Sequence, residues 1–201
     1  LGSLSLEDLR NKVFEKLRIL NYLLSIGSSF NLTKEINEKV LVNNFDITSI
    51  SNSSPKFSLD TLKSLNKDIL QLYDYSHIKK RFSEIGITNS NENFWKLIKN
   101  NINFFSECLE WDNIINSTES FECENTDFLK LAAELLPKEP FDNNSWDQWV
   151  SSIKEKSNKK GKDLFIPLRI ALTGKESGPE LKFLLPFLSK DKILKKFGII
   201  N

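Results

Sequence analysis

The sequence predicts an all-α protein. Apolar residues recur at every third or fourth position along most of the 201 residues, which is the spacing that places them on one face of a helix. No segment sustains the apolar–polar alternation of a half-buried strand. Hydrophobic residues make up 39% of the chain, and no apolar run approaches the ~18 residues of a membrane span. We therefore expect a soluble helical protein with a core of its own and no membrane segment.

The first predicted helix is long and has one continuous apolar face, from Leu6 to Leu24. Ser5 and Asp8 have the spacing of a capping box at its start, and Gly27 has the position of a C-terminal cap. The pattern thus predicts one uninterrupted helix that ends at Gly27.

Ten further helices follow from the same spacing and from flanking caps, turns and prolines. They are predicted over residues 33–42, 59–72, 78–85, 94–102, 105–115, 126–136, 145–157, 164–173, 179–188 and 190–197. Thr33 is expected to cap the first of these. The polar stretch 88–93 is the expected domain boundary, and residues 137–144, which include two prolines, form a second expected linker.

The formal net charge of +1 hides an uneven distribution of charge. Residues 151–201 hold 12 Lys or Arg against 5 Asp or Glu, a balance of +7, whereas residues 1–150 hold 16 against 22, a balance of −6. A basic end of this kind can bind a polyanion by releasing counterions. The charge alone favours a solvated lysine-rich helix face, because runs of lysine are common on helix surfaces.

Residues for common catalytic and metal chemistry are missing from the sequence. The chain has one histidine, His77, and two cysteines, Cys108 and Cys123, which lack the spacing of a metal site or a redox pair. It contains no glycine-rich phosphate loop, GxSxG elbow or HExxH motif. We therefore predict no catalytic residue, no metal ligand and no cofactor in this chain. The sequence also contains no methionine, and we expect it to be a piece of a longer protein.

The most informative segment is GKDLFIPLRIALTGKESGPELKFLLPFL, residues 161–188. Its first apolar residues predict a helix that has Pro167 in the first turn and Arg169 off the apolar face. Gly178 and Pro179 then restart the chain into a second, leucine-rich helix. The loop between the two helices can present backbone groups to a ligand, and Arg169 can form forked hydrogen bonds to a base edge or a phosphate.

This segment resembles the C-terminal anticodon-binding region of bacterial glutamyl-tRNA synthetases, whose pattern is GKxLFxPLRxALTG followed by GPEL and a leucine-rich helix. FWKLIKNNI (94–102) and KFSLDTLKSLN (56–66) resemble segments of the same family in the same order. Lys99 stands where that family usually has Arg, and Ser58 stands where it has Asp. Residues 1–29 resemble the stretch after the family's KMSKS-type loop. There Val13 and Lys16 replace the usual Gly and Pro, so we expect that turn to be replaced by helix.

The resemblance implies a helical stem-contact region over residues 1–87 and a helical anticodon-binding domain over residues 88–201, with subdomains at about 88–140 and 141–201. It also implies a parent class I enzyme that attaches glutamate to its tRNA with ATP and Mg²⁺. The family's Rossmann-type catalytic domain, with its HIGH-type and KMSKS-type motifs, is absent from this sequence. We expect the chain to be the tRNA-binding portion of that enzyme, monomeric and inactive by itself. Two thiols suit a reducing cytoplasm.

The same resemblance places base contacts on Arg169, Pro179 and Leu181. Arg169 would hydrogen-bond an anticodon base, and Pro179 and Leu181 would give apolar contact. Gly178 lies at a loop position where some relatives have a hydroxyl side chain, and it offers only backbone groups. Each of these residues has an ordinary alternative: a surface salt bridge for Arg169, a helix start for Pro179, and core packing for Leu181.

Lys162 is the candidate phosphate contact, together with its neighbours Lys159 and Lys160, and Lys99 is a further candidate for RNA binding. A solvated turn explains the lysines near residue 160 equally well. Three tryptophans, Trp95, Trp146 and Trp149, could stack on bases, but their helical spacing and apolar neighbours favour core packing. Trp111, next to Asp112, is expected to be structural.

A second function class remains open on composition and periodicity. The chain could be a helical protein-interaction module whose basic C-terminal face binds an acidic partner protein. The ordered set of motifs favours the tRNA-binding portion of a glutamate–tRNA ligase, because a generic scaffold does not need PLRIALTG followed by GPEL.

Overall fold

A computed structural model describes residues 5–11, 13–32, 37–52, 54, 56–121 and 125–200. These residues form helices joined by turns and contain no strand, which confirms the all-α prediction. The α-helices are α1 (Leu6–Asn11), α2 (Lys16–Gly27), α3 (Glu38–Asn44), α4 (Leu59–Leu72), α5 (Tyr75–Glu84), α6 (Glu92–Ile98), α7 (Glu107–Asn116), α8 (Thr126–Glu134), α9 (Asn143–Ser157), α10 (Lys162–Thr173), α11 (Leu181–Leu184) and α12 (Lys190–Lys196). Short 3-10 helices lie at Ile47–Ser49 and Leu185–Phe187.

The chain divides into two compact units. Unit 1 consists of Leu1–Glu92 with Ile102–Cys108, and unit 2 consists of Asn93–Asn101 with Leu109–Asn201. The proposed boundary at residues 88–93 and the two subdomains stay predictions. Thr33 and Cys123 lie outside the described residues, so the predicted cap and the state of that thiol are not addressed.

Unit 1 has its core where α2 meets α4. Leu9, Phe14, Tyr22 and Leu62 are buried together there, and the Phe14 ring meets the Phe104 ring edge-on at 4.9 Å. The predicted capping box at the start of α1 is present, because the Asp8 backbone N–H donates to the Ser5 hydroxyl and the Ser5 backbone N–H donates to the Asp8 carboxylate. Burial of these apolar groups is the main stabilisation of the unit.

The prediction of one uninterrupted first helix is wrong. Val13 adopts a left-handed conformation with φ of 61°, and the chain forms a turn between α1 and α2. Asn66, fully buried on α4, explains the break: its side-chain oxygen accepts the backbone N–H of Glu15 at 2.7 Å, while its amide donates to the Asn103 carbonyl at 2.6 Å. A contact from a distant element thus overrides the local helical pattern.

Unit 2 is built around tryptophan. Trp149 of α9 is fully buried, donates its indole N–H to the Ala132 carbonyl of α8 at 2.8 Å and stacks on Phe197 at 6.4 Å. Trp146 stacks on Phe165 of α10 at 6.2 Å. Core packing is confirmed for all four tryptophans, whose exposed fractions are 8% or less. They therefore support the fold and do not offer stacking faces.

Two of the predicted C-terminal helices differ from the structure. Helix α10 begins at Lys162, so Pro167 lies inside the helix and not in its first turn. The proline has no N–H to give to the carbonyl four residues earlier, and that carbonyl belongs to exposed Asp163. The helix predicted over 179–188 is a single turn, α11, followed by the 3-10 turn that contains Pro186.

The single histidine and the described cysteine lie in different surroundings. His77 is exposed on α5 and its ring stacks on Tyr73 at 6.4 Å. Cys108 is a buried free thiol, and burial raises its pKa to about 12. Within the described part of the chain, no helix has the length and apolar character needed to cross a membrane.

Candidate nucleic-acid interface

The candidate site lies where α10 ends and the chain turns back toward α11. Gly174 caps α10 in a left-handed conformation, with φ of 67°, and its N–H donates to the Ile170 carbonyl at 2.7 Å. The Thr173 hydroxyl donates to the Arg169 carbonyl at 2.7 Å and accepts the Lys175 backbone N–H at 3.2 Å. These bonds fix the direction in which the chain leaves the helix.

Arg169 holds the end of this turn through a hydrogen bond. Its guanidinium Nη1 donates to the Pro179 carbonyl at 2.8 Å, so this side chain of α10 reaches the backbone two residues before α11. Partial burial lowers the pKa of Arg169 from its ordinary value, and the carboxylate of Glu180 acts in the opposite direction. The side chain is half-buried and therefore remains in part accessible. No second protein acceptor bonds this guanidinium among the described residues, which leaves donors for a ligand.

The other three predicted base contacts differ in where they lie: some are in the loop and some are in the core. Gly178 is half-buried with φ of 149°, a conformation that L-residues rarely adopt. Pro179 is buried and offers its carbonyl to Arg169. Leu181 opens α11 with an exposed fraction of 3%, so its side chain belongs to the core. Arg169, Gly178 and Pro179 are brought together at one corner, with Leu181 packed beneath it.

The two lysines named from the sequence occupy other positions in unit 2. Lys162 is exposed at the first residue of α10, at the opposite end of that helix from the turn. Lys99 is half-buried just after α6, where its backbone N–H donates to the Trp95 carbonyl at 3.0 Å. Neither residue belongs to the turn at residues 174–180.

Several basic side chains of unit 2 already have partners. Lys182 forms a 2.7 Å ion pair with Asp147, and Lys159 lies over the ring of Phe128 at 4.8 Å. Lys160, beside Lys159, is exposed. The excess of positive charge at this end of the chain is therefore partly compensated, and the exposed lysines provide the remaining positive surface.

The residues that hold the turn from outside were not predicted from the sequence. Lys175 forms a 2.6 Å ion pair with Glu110 of α7, and Gly178 packs against the indole of Trp111 from the same helix. The two glycines at 174 and 178 were the available signal, since glycine often marks a close approach of the backbone to another group. Their partners lie more than fifty residues earlier and could not be identified from spacing. No cluster of His, Cys, Asp or Glu suited to a metal ion is found among the described residues.

Comparison with known proteins gives a consistent result over nearly the whole chain. Glutamate–tRNA ligase 1 of Ehrlichia ruminantium (strain Gardel) is 34% identical over 199 residues, which cover 98% of this chain and 44% of the relative. Glutamate–tRNA ligase 1 of Orientia tsutsugamushi (strain Ikeda) is 35% identical over 196 residues, covering 96% and 44%. The chain thus spans less than half the length of the curated relatives it matches, and the matched part is their C-terminal portion.

The fold agrees with a solved structure at lower sequence identity. A crystal structure of a glutamate tRNA ligase from Elizabethkingia meningosepticum matches 94% of this chain and 41% of its own chain, with a TM-score of 0.74 and 18% identity. The family model described as an anticodon binding domain matches residues 87–198, more than half of the chain. On that match the chain belongs to the anticodon-binding domain family.

Proposed function

We propose that this chain is the tRNA-binding portion of a glutamate–tRNA ligase and that its C-terminal half contacts the anticodon. The observation that carries the proposal is the half-exposed Arg169 at the α10–α11 corner, in a segment that the anticodon-binding family model covers. Its guanidinium holds the Pro179 carbonyl with one nitrogen and has further donors for a base.

The binding mode combines two kinds of contact. Exposed lysines such as Lys160 and Lys162 attract phosphates, and this contribution weakens as salt rises because binding releases counterions. Arg169 then contacts a splayed base of the anticodon loop, where single-stranded bases expose their hydrogen-bonding edges. Pro179 and the backbone of Gly178 line the same corner, and Leu181 supports it from the core. Lys99 is proposed as a further RNA contact.

The proposal extends to the parent enzyme. There the chain would bind a glutamate-accepting tRNA while a separate segment attaches glutamate with ATP and Mg²⁺. We propose no cofactor site and no catalytic residue in the chain described here, so it binds tRNA without charging it. A monomer in the cytoplasm fits this role.

The test is an affinity measurement on the whole 201-residue chain and an unmodified glutamate-accepting tRNA transcript. A base-edge contact is worth roughly 1–3 kcal/mol, so Arg169→Ala should weaken binding by about 5- to 150-fold. Arg169→Lys keeps the charge and loses the fork, and it should recover only part of the affinity. Lys130→Ala, on an exposed position of α8, is the matched control for loss of one positive charge.

Two results would contradict the proposal. Equal affinities for Arg169→Ala and Lys130→Ala would remove Arg169 from the site. A chain that binds no tRNA even at low salt, yet retains an acidic protein partner, would favour the protein-interaction module over the tRNA-binding portion.

A further inference from the structure

An aromatic ring packs against each end of the turn after α10. We call residues 174–178 the glycine loop. A Cβ added to Gly174 would lie 2.6 Å from Cε1 of Phe121. A Cβ added to Gly178 would lie 2.9 Å from Cζ2 of Trp111 and closer still to Cη2. Both rings therefore occupy the space that a side chain at these positions would take, and both glycines also have the positive φ that favours glycine.

Lys175, the second residue of the glycine loop, is held by α7, the same helix that supplies Trp111. The Lys175 ammonium forms a 2.6 Å ion pair with Glu110 and lies 5.7 Å from the centre of the Trp111 ring. Glu110 and Trp111 are adjacent on α7, so one short stretch of helix contacts the loop at two points. Arg169 of α10 holds the Pro179 carbonyl, one residue beyond the loop.

We propose that Glu110 and Trp111 are positioning residues that hold the glycine loop in the conformation that discriminates between anticodon bases. This inference rests on the proposed function. Neither residue is suited to contact RNA itself: Trp111 is 3% exposed and has no free face for a base, and the Glu110 carboxylate repels phosphate. Any effect of these two side chains on base discrimination must therefore act through the loop.

Replacing Glu110 should have two separate effects on RNA binding. Loss of its charge should raise the affinity for any RNA, and loss of its hold on the loop should lower the preference for the correct anticodon. Removing the carboxylate takes a negative charge from the surface and releases Lys175 for a phosphate, which favours binding to any RNA. One added phosphate contact steepens the dependence of log affinity on log salt by roughly 0.7–0.9. Releasing Lys175 also loosens the loop, which reduces the preference for the correct anticodon.

The test compares two variants with two matched controls. Glu110→Gln changes a half-exposed side chain, and Trp111→Phe keeps an aromatic residue in the core while removing the ring atoms nearest Gly178. Asp127→Asn breaks another Lys–carboxylate pair of unit 2, and Trp149→Phe makes the same ring change in the α8–α9 core. The probes are an unmodified glutamate-accepting tRNA transcript and the same transcript with one anticodon base replaced. The whole chain is used throughout, and circular dichroism checks its fold.

The deciding quantity is the ratio of two dissociation constants, that for the altered transcript divided by that for the unaltered one. We expect both α7 variants to lower this ratio by about threefold or more, as expected for coupled contacts. Glu110→Gln should also steepen the salt dependence, and both controls should leave the ratio unchanged. Should Trp111→Phe fail to fold, the exposed Glu110→Gln substitution still decides the matter.

The contradicting results separate this inference from the proposed function. If tRNA binding and base discrimination persist unchanged in both α7 variants, the positioning role is wrong and the proposed function stands. If the unaltered chain binds neither transcript, the proposed function is wrong and the inference with it.

Discussion

At the scale of single residues, Lys196 has unfavourable surroundings for its charge. Its side chain on α12 is fully buried, and its ammonium has no hydrogen-bond partner in the described part of the chain. Burial, assisted by the nearby Lys192, lowers its pKa from 10.5 to about 8, while Glu119 acts in the opposite direction. The ring of Phe121, 5.4 Å from the ammonium, provides some compensation as a cation–π contact.

Lys196→Met should therefore stabilise the protein at neutral pH. Below about pH 8 the folded chain carries the whole cost of a buried charge, and we expect the methionine variant to gain on the order of 2 kcal/mol in free energy of unfolding there. Between about pH 8 and 10.5 the unfolded state binds more protons than the folded state, so the parent chain becomes more stable as pH rises. The advantage of the variant should shrink across that window.

Urea unfolding near pH 7 and near pH 10 measures this difference. Lys195→Met, at the neighbouring and less buried position, is the control and should change little. A parent chain more stable than Lys196→Met near pH 7, or a difference that does not depend on pH, would contradict the assigned cost of burial.

Residue roles differ in how far the sequence could reveal them. The buried tryptophans were predictable because their neighbours on the helix are apolar. The motif singles out Arg169 as a candidate contact, which stays a prediction, and the structure adds the Pro179 carbonyl as its partner. The contact between Trp111 and Gly178 was not predictable, because it depends on how α7 packs against the turn and not on any local pattern.

At the scale of the helix, local pattern predicted α4 correctly at both ends. Its residues, 59–72, have an apolar stripe, and a serine precedes them. The Ser58 hydroxyl accepts the Thr61 backbone N–H at 3.2 Å and so satisfies one of the free donors at the start of the helix. Helix ends that depend on such local bonds are the ones that sequence reasoning finds.

Ser58→Ala should lower the free energy of unfolding by about 1 kcal/mol, because alanine cannot accept that hydrogen bond. Ser58→Asp should retain most of the stability, since aspartate is an equally good cap and its charge is favourable at a helix start. Thermal or urea unfolding of the two variants checks this. A Ser58→Asp variant as unstable as Ser58→Ala would show that the cap is not the cause.

The turn between α1 and α2 shows where local pattern fails. The apolar spacing continues across it, yet Val13 adopts a left-handed conformation because Asn66 of α4 captures the Glu15 backbone N–H. The energy of that distant hydrogen bond and of Phe14 packing is set by tertiary structure, which no window of sequence contains. The resemblance suggested a turn here, but the loss of its usual Gly and Pro led to the wrong prediction.

Val13→Gly should stabilise the protein by about 0.5 kcal/mol. A left-handed conformation costs an L-residue about 1–2 kcal/mol, and the added flexibility of glycine in the unfolded chain offsets part of this gain. Val13 is 44% exposed, so little apolar burial is lost. Val13→Ala keeps the strain and serves as the control in urea unfolding. A glycine variant less stable than the alanine variant would argue against strain at this position.

At the scale of the whole molecule, the basic end of the chain coincides with the elements of the candidate site. The last 51 residues carry a balance of +7, and they include α10, the glycine loop and α11. Composition predicted a basic end, and the structure adds which of its lysines have carboxylate or aromatic partners and which are exposed. In the proposed function, exposed lysines would give affinity without sequence information, whereas the Arg169 corner would offer a directional contact.

Hydroxyl-radical footprinting of a glutamate-accepting tRNA transcript tests the central claim most directly. With the whole chain bound, we expect protection of the anticodon loop, and we expect Arg169→Ala to remove that protection while contacts to the rest of the tRNA persist. Protection that is absent from the anticodon loop, or that survives unchanged in Arg169→Ala, would contradict the account.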